Sequence, residues 1–136
     1  MLRGMTTQNV FADDVKAAAD WYAQVFGIEP YFEKEFGGAV AYVEFRVGDD
    51  EDEFGILDRR YVPGAADAGL GGGLLYWAVD DVETEFARLL ELGATEHLGI
   101  TEQGPGFVTA SVRDPFGNVF GVMFNQHFLD RAGTHD

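Results

Sequence analysis

The strongest constraint on the fold is an internal repeat in the chain. Residues 12–27 read ADDVKAAADWYAQVFG and residues 79–93 read VDDVETEFARLLELG, which places Asp14 and Asp81 67 positions apart. In both stretches an aspartate precedes apolar residues spaced three or four apart, and a glycine follows them. This pattern predicts an amphipathic helix with a polar cap and a glycine stop, and it predicts that helix twice.

A second pair of matching stretches follows at nearly the same spacing. Residues 53–57 read EFGIL and residues 119–123 read VFGVM, so that Gly55 and Gly121 are 66 positions apart. Apolar runs of this kind predict buried strands, and a glycine inside a strand often marks the close approach of a ligand or of another backbone segment. Several matches in the same order at nearly the same shift indicate a tandem duplication.

The rest of each half contains short runs typical of strands, the clearest of which alternate between apolar and polar residues. Strands are predicted over residues 5–12, 31–35, 39–47 and 53–58 of the first half, and over 74–79, 95–100, 107–113 and 119–124 of the second. Each half therefore has the order βαβββ. The predicted fold class is α+β, with tandem βαβββ modules forming a curved mixed sheet around a central cup and helices outside.

The predicted organisation is a single domain over residues 1–136. Module one covers residues 5–58, a glycine-rich connector residues 59–73, and module two residues 74–124. Within module two, residues 101–106 are predicted to be a glycine-containing loop. A polar tail follows module two, with one helical turn expected on Phe128 and Leu129.

Charge and composition narrow the possible partners. The chain has 24 acidic and 9 basic residues and a net charge of −15, which argues against nucleic acid and anionic membranes and favours cationic small molecules. Part of this charge, DDEDE at residues 49–53, is predicted to be a solvated loop.

The absence of cysteine excludes disulfides and thiolate chemistry. Since no apolar run is long enough to span a bilayer, a cytoplasmic location is expected.

Three motifs together resemble the vicinal oxygen chelate superfamily of glyoxalases, bleomycin-resistance proteins, dioxygenases and fosfomycin-resistance enzymes. They are WYAQVFG after the first aspartate pair, VDDV after a strand in the second half, and DPFGN before the last strand. The resemblance covers residues 5–124. It is specific for the fold and much less so for function, because such folds carry many chemistries.

The metal enzymes of that superfamily hold a divalent ion with one ligand from the first and last strand of each module. The resemblance places these ligands at Thr7, Gly55, Leu74 and Gly121. Two of these four residues are glycines without a side chain, Leu74 is apolar, and Thr7 offers only a weak neutral oxygen. A divalent ion needs several converging N or O ligands. We therefore expect no metal centre and no cofactor.

The histidines give little support for catalysis. His97 lies in a short predicted strand, and His127 and His135 lie in the tail, where surface roles are the commonest. We expect no histidine to lie close enough to a serine or threonine to activate it, so no nucleophile triad is predicted. The clustered glycines of the connector lack the lysine of a phosphate-binding loop.

Strand alternation predicts which side chains line the cup. These side chains combine apolar and aromatic groups with a few polar ones, and such a lining is typical of a small-ligand site. The predicted ligand-binding residues are Thr7, Asn9, Phe11, Tyr42, Glu44, Arg46, Gly55, Leu57, Leu74, Tyr76, Thr109, Ser111, Gly121 and Met123, with the two glycines leaving room at the bottom. The sequence leaves three roles open for Glu44: binding a cationic group of a ligand, acting as a general base, or pairing with Arg46.

The leading functional hypothesis is a metal-free protein of the bleomycin-resistance type that binds and sequesters a small organic ligand. A competing hypothesis is an enzyme of lyase, isomerase or dioxygenase type, with unorthodox metal ligands or with Glu44 as base. A third is a module that binds a protein partner. Members of the superfamily often pair, so the resemblance also implies a homodimer. The acidic charge predicts no nucleic-acid or membrane partner.

Overall fold

A computed structural model describes residues 1–64 and 73–132 of the chain, the last of these by its backbone alone. These residues belong to two compact units, one within Met1–Gly69 and the other within Leu70–Asp136. Much of the predicted connector and the last four residues of the predicted tail lie outside the described residues.

The first unit has the predicted order βαβββ. Its elements are β1 (Thr7–Ala12), α1 (Val15–Phe26), β2 (Phe32–Phe36), β3 (Ala39–Val47) and β4 (Asp52–Asp58), followed by a 3-10 turn over Arg59–Tyr61. The four strands form one sheet in the order β1-β4-β3-β2. β1 runs parallel to β4, and the other neighbours are antiparallel.

The second unit repeats this arrangement. Its elements are β5 (Tyr76–Ala78), α2 (Val82–Glu91), β6 (Thr95–Gly104), β7 (Phe107–Arg113) and β8 (Val119–Asn125), followed by α3 (Gln126–Ala132). The sheet order is β5-β8-β7-β6, with β5 parallel to β8. The predicted α+β class with two βαβββ modules is confirmed.

The repeated aspartates cap the two long helices as the sequence predicts. The Asp14 side chain accepts a hydrogen bond from the backbone N–H of Ala17 (3.0 Å), and the Asp81 side chain accepts one from Thr84 (3.2 Å). Gly27 ends α1 in the left-handed conformation, with φ of 70°, and its N–H donates to a carbonyl of the last turn. Each helix therefore has a local reason to begin where it does.

An aromatic cluster holds α1 against one face of the first sheet. The rings of Tyr22 and Phe26 from α1 lie 4.9 and 5.1 Å from the ring of Phe54 in β4. Phe26 also packs edge-on against Phe45 in β3, at 5.4 Å. Because successive strand residues point to opposite faces, the neighbours of Phe45 and Phe54 point away from this cluster.

In the second unit α2 lies against β6, β7 and β8. Its apolar residues Val82, Phe86 and Leu89 are buried, as are Val112 of β7 and Val122 of β8. The predicted amphipathic helix therefore covers one face of this sheet as well.

The structure corrects the predicted loop over residues 101–106. Strand β6 continues through Thr101 to Gly104, and its pairing with β7 shifts register at three places. These irregularities interrupt the alternation that reveals a strand in sequence, and the exposed edge position allows polar side chains. At the other edge, β5 is shorter than the predicted strand over residues 74–79.

The tail contains more helix than the expected single turn. α3 spans seven residues and begins after Asn125, whose side chain accepts a hydrogen bond from the backbone N–H of Phe128 (3.2 Å). In the described parts of the chain, no helix combines the length and the apolar character required to cross a bilayer.

Candidate functional site

A group of polar side chains occupies the face of the first sheet that α1 does not cover. We call it the acidic face and define it by Asn9 of β1, Tyr42 and Glu44 of β3, and Glu53 and Gly55 of β4. Strand pairing places Asn9, Gly55 and Glu44 in one row across the sheet. Since all five positions alternate with core residues, they point to the same side.

Two of these residues form a hydrogen bond, in which the Tyr42 hydroxyl donates to Oε1 of Glu44. Burial raises the pKa of the Glu44 carboxyl; the negative charge of Glu53 raises it further, and Arg46 opposes both with a smaller effect. Burial and the charge of Glu53 also raise the pKa of Tyr42. In both residues burial is the larger cause of the pKa shift, and the second cause shows that the Glu53 carboxylate lies close enough to act on Tyr42 and Glu44.

Glu53 is the residue of this group that sequence reasoning missed. The sequence prediction counted Glu53 both as the end of a solvated acidic loop and as the first residue of a strand, and it left Glu53 out of the ligand-binding residues. The structure places Glu53 half-buried within β4. Its Oε2 accepts a hydrogen bond from the Thr7 hydroxyl at 2.6 Å. Counting back two residues from Gly55 in the alternating strand would have found it.

Arg46 has a different partner from the one considered for it. Its guanidinium lies 4.5 Å from the ring centroid of Tyr31, and strand pairing places it opposite Glu53. No ion pair joins Glu44 to Arg46 among the residues that the structure describes. The option in which Glu44 serves only to pair with Arg46 is therefore not the arrangement observed.

Aromatic side chains border the acidic face. The ring of Phe32 in β2 lies 6.2 Å from that of Tyr42, and strand pairing places Phe32 opposite Glu44. Tyr31 and Phe32 are about half exposed, at 48% and 47%. Carboxylates beside accessible aromatic rings form a surface that suits a cation with an apolar body.

The sequence prediction expected open space next to Gly55, but side chains of the same unit occupy that space. A Cβ atom at this position would overlap Oδ1 of Asn9 and would lie 2.7 Å from the hydroxyl oxygen of Tyr42. The glycine makes room for side chains of its own unit. This corrects the expectation that it leaves free space at the bottom of a cup.

Gly121 in the second unit shows the same correction with different neighbours. Strand pairing places it between Tyr76 and Ser111. A Cβ atom here would lie 2.6 Å from Cδ1 of Tyr76 and 2.8 Å from the backbone oxygen of Leu75. Its nearest neighbours therefore include backbone, which cannot move as a side-chain tip can.

The matching face of the second sheet carries polar pairs that contain no carboxylate. His97 Nδ1 lies 3.0 Å from the Ser111 hydroxyl, and the Gln103 amide donates to the Thr109 hydroxyl at 3.1 Å. The prediction that no histidine lies near a serine is wrong, because the His97 and Ser111 side chains are in contact although the two residues are 14 positions apart in the sequence. His97 and Gln103 were missed because they reach β7 across the irregular pairing of β6.

The structure groups the predicted site residues by unit. Thr7, Asn9, Phe11, Tyr42, Glu44, Arg46, Gly55 and Leu57 pair in rows across the first sheet. Tyr76, Thr109, Ser111, Gly121 and Met123 do so in the second. Leu74 precedes β5 and is 38% exposed. Ligand binding by these residues stays a prediction.

The residues at the positions implied for a metal do not fit one. Gly55 and Gly121 have no side chain, and atoms of neighbouring residues occupy the space beside each glycine. Thr7 directs its hydroxyl proton to Glu53, and Leu74 is apolar. The described residues also contain no group of three His, Cys, Asp or Glu side chains placed to hold a metal ion.

The fold is that of known proteins at low sequence identity. A glyoxalase-related enzyme from Fulvimarina pelagi matches with a TM-score of 0.71 and 17% identity, over 92% of this chain and 90% of that one. Lactoylglutathione lyase from Agrobacterium tumefaciens matches at 0.65 and 21%, over 90% and 94%. TioX from Micromonospora sp. ML1 matches at 0.65 and 18%, over 88% and 97%.

Sequence comparison identifies the family, although no curated protein gave a significant match. The sequence model of the Glyoxalase/Bleomycin resistance protein/Dioxygenase superfamily matches residues 5–122. That range contains both βαβββ modules except for the end of β8. This chain therefore belongs to the Glyoxalase/Bleomycin resistance protein/Dioxygenase superfamily.

Proposed function

We propose that this protein binds a small organic cation on the acidic face and sequesters it without transforming it. The observation that carries the proposal is that the carboxylates of Glu44 and Glu53 lie on the same face of the first sheet. The charge of Glu53 raises the pKa of Glu44 by more than Arg46 lowers it. A bound cation would supply the missing positive charge. Arg46 lies over the ring of Tyr31, which leaves the carboxylate of Glu44 facing the Tyr42 hydroxyl.

The aromatic border suggests what the rest of the ligand is like. Phe32 and Tyr31 are accessible and lie on or next to the strand that pairs with β3. Rings of this kind pack against apolar or aromatic groups and attract cations through their π-faces. The proposed ligand is an organic cation with a flat or apolar body.

Family membership supports sequestration as a function of this fold. The superfamily description includes bleomycin resistance proteins as well as enzymes. We extend the proposal to drug sequestration in the cytoplasm by a homodimer. The net charge of −15 favours encounter with a cationic drug.

The test begins with a thermal-shift screen of cationic glycopeptides and aromatic drugs, each compared with a neutral analogue. Calorimetry then measures affinity for Glu44→Gln, Glu53→Gln and the matched control Glu33→Gln, which removes an exposed charge from β2. We expect each of the first two variants to weaken binding about tenfold and the control to bind normally. Unchanged binding by both variants would contradict the proposal, as would a preference for neutral ligands.

A second candidate function is proton abstraction by Glu44. A raised pKa makes a carboxylate a stronger base, and the Tyr42 hydroxyl is placed to exchange a proton with it. This candidate predicts that the ligand found by the screen is converted to a product. Chromatography after prolonged incubation distinguishes the two, because sequestration returns the ligand chemically unchanged.

A further inference from the structure

We infer that Gly55 determines which cations the acidic face accepts, and that the accepted class is the primary ammonium or amidinium ion. The inference rests on the proposed function and adds to it a ligand class and a specificity-determining position. Its basis is that Gly55 allows the Asn9 amide and the Tyr42 hydroxyl to lie over the same point of β4, next to Glu44.

Strand pairing explains why these groups meet. Asn9 and Glu44 lie on either side of Gly55, on β1 and β3 respectively. A Cβ atom at Gly55 would overlap Oδ1 of Asn9 and would lie 2.7 Å from the oxygen and 2.8 Å from Cε1 of Tyr42. Both side chains therefore use the volume that any other residue would fill.

The converging groups are rich in hydrogen-bond acceptors. Glu44 offers a carboxylate, Tyr42 a hydroxyl oxygen and Asn9 an amide oxygen. An ammonium or amidinium ion presents several N–H donors to such a set, and bonds of this kind to charged groups are the stronger ones. A quaternary ammonium has the same charge and no N–H donor, so it would donate no hydrogen bond to these acceptors.

The same geometry makes Gly55 testable without loss of the fold. The atoms that would meet a new Cβ are the ends of the Asn9 and Tyr42 side chains, and Asn9 is exposed. Gly55 does not have the positive φ that disfavours other residues. Alanine should therefore displace these two side chains and leave the strand in place.

The experiment compares 2-phenylethylamine with 2-phenylethyltrimethylammonium in NMR titrations of the full-length protein. These probes share a ring and a charge and differ in N–H donors. We expect wild type to prefer the amine by at least about tenfold, and Gly55→Ala to lose most of that preference. The matched control is Gly104→Ala in β6, where a Cβ meets no atom within 4 Å.

Each outcome has a distinct meaning. Equal affinity of wild type for both probes would overturn the ligand class while leaving the proposed cation binding intact. Full preference retained by folded Gly55→Ala would overturn the role of this glycine. Binding of neither probe would overturn the inference together with the proposed function. If Gly55→Ala melts early, Asn9→Ala replaces it, because it removes the amide from an exposed position and should also reduce the preference.

Discussion

Gly55 and Gly121 occupy matching positions of the repeat and have different surroundings. Side-chain tips of Asn9 and Tyr42 surround Gly55, whereas the backbone oxygen of Leu75 is among the atoms nearest to Gly121. The repeat in the sequence predicted that both glycines are special. It could not show why, because the reason lies in atoms of neighbouring strands.

The contrast predicts different stabilities for two alanine variants. Gly121→Ala should lower the free energy of unfolding by roughly 1–3 kcal/mol, since the new Cβ would lie 2.8 Å from a backbone atom. Gly55→Ala should cost less than Gly121→Ala, because flexible side chains can move. Urea denaturation measures both. A Gly121→Ala variant as stable as wild type would show that β5 shifts freely.

The raised pKa of Glu44 predicts a pH-dependent effect of replacing it. A carboxyl whose pKa rises on folding destabilises the folded state at pH values above its ordinary value of 4.5. Glu44→Gln should therefore be more stable than wild type at pH 7. The difference should disappear as the pH falls below 4.5, because the wild-type carboxyl is then protonated in both the folded and the unfolded state. Thermal melts across this range provide the measurement. A variant less stable than wild type at neutral pH would indicate that Glu44 is already neutralised.

At the scale of elements, local signals predicted the helices well and the edge strands less well. An aspartate cap, apolar spacing and a glycine stop act within one segment, and α1 and α2 follow them closely. The bounds of β6 depend on pairing with β7 across three register shifts, which the sequence does not display. The contacts of His97 and Gln103 escaped prediction for the same reason.

The capping aspartates allow a paired test in the second unit. Asp81→Ala removes the acceptor for the Thr84 N–H and should cost about 1 kcal/mol of stability. Its neighbour Asp80 is exposed, and Asp80→Ala should change stability by less than about 0.5 kcal/mol. Chemical denaturation compares the two. Equal effects would mean that charge rather than capping explains the repeated aspartates.

At the scale of the whole molecule, the dominant property is the net charge of −15. Charge of this size raises the local concentration of cations around the protein and is screened by salt. The affinity for a cationic ligand should therefore fall several-fold when sodium chloride rises from about 50 mM to about 500 mM. Calorimetry at both concentrations tests this, with a neutral analogue as control. Salt-independent binding would point to an apolar mode of recognition.

The most direct test of the central claim is a chemical-shift map of the protein titrated with its best cationic ligand. Ligand binding on the acidic face should move the backbone amide signals of Asn9, Glu44 and Gly55 in proportion to occupancy. At the same subsaturating ligand concentration, the shifts of Asn9 and Gly55 should be much smaller in Glu44→Gln. Shifts confined to other residues, with these three unchanged, would contradict the assignment of the ligand site to the first sheet.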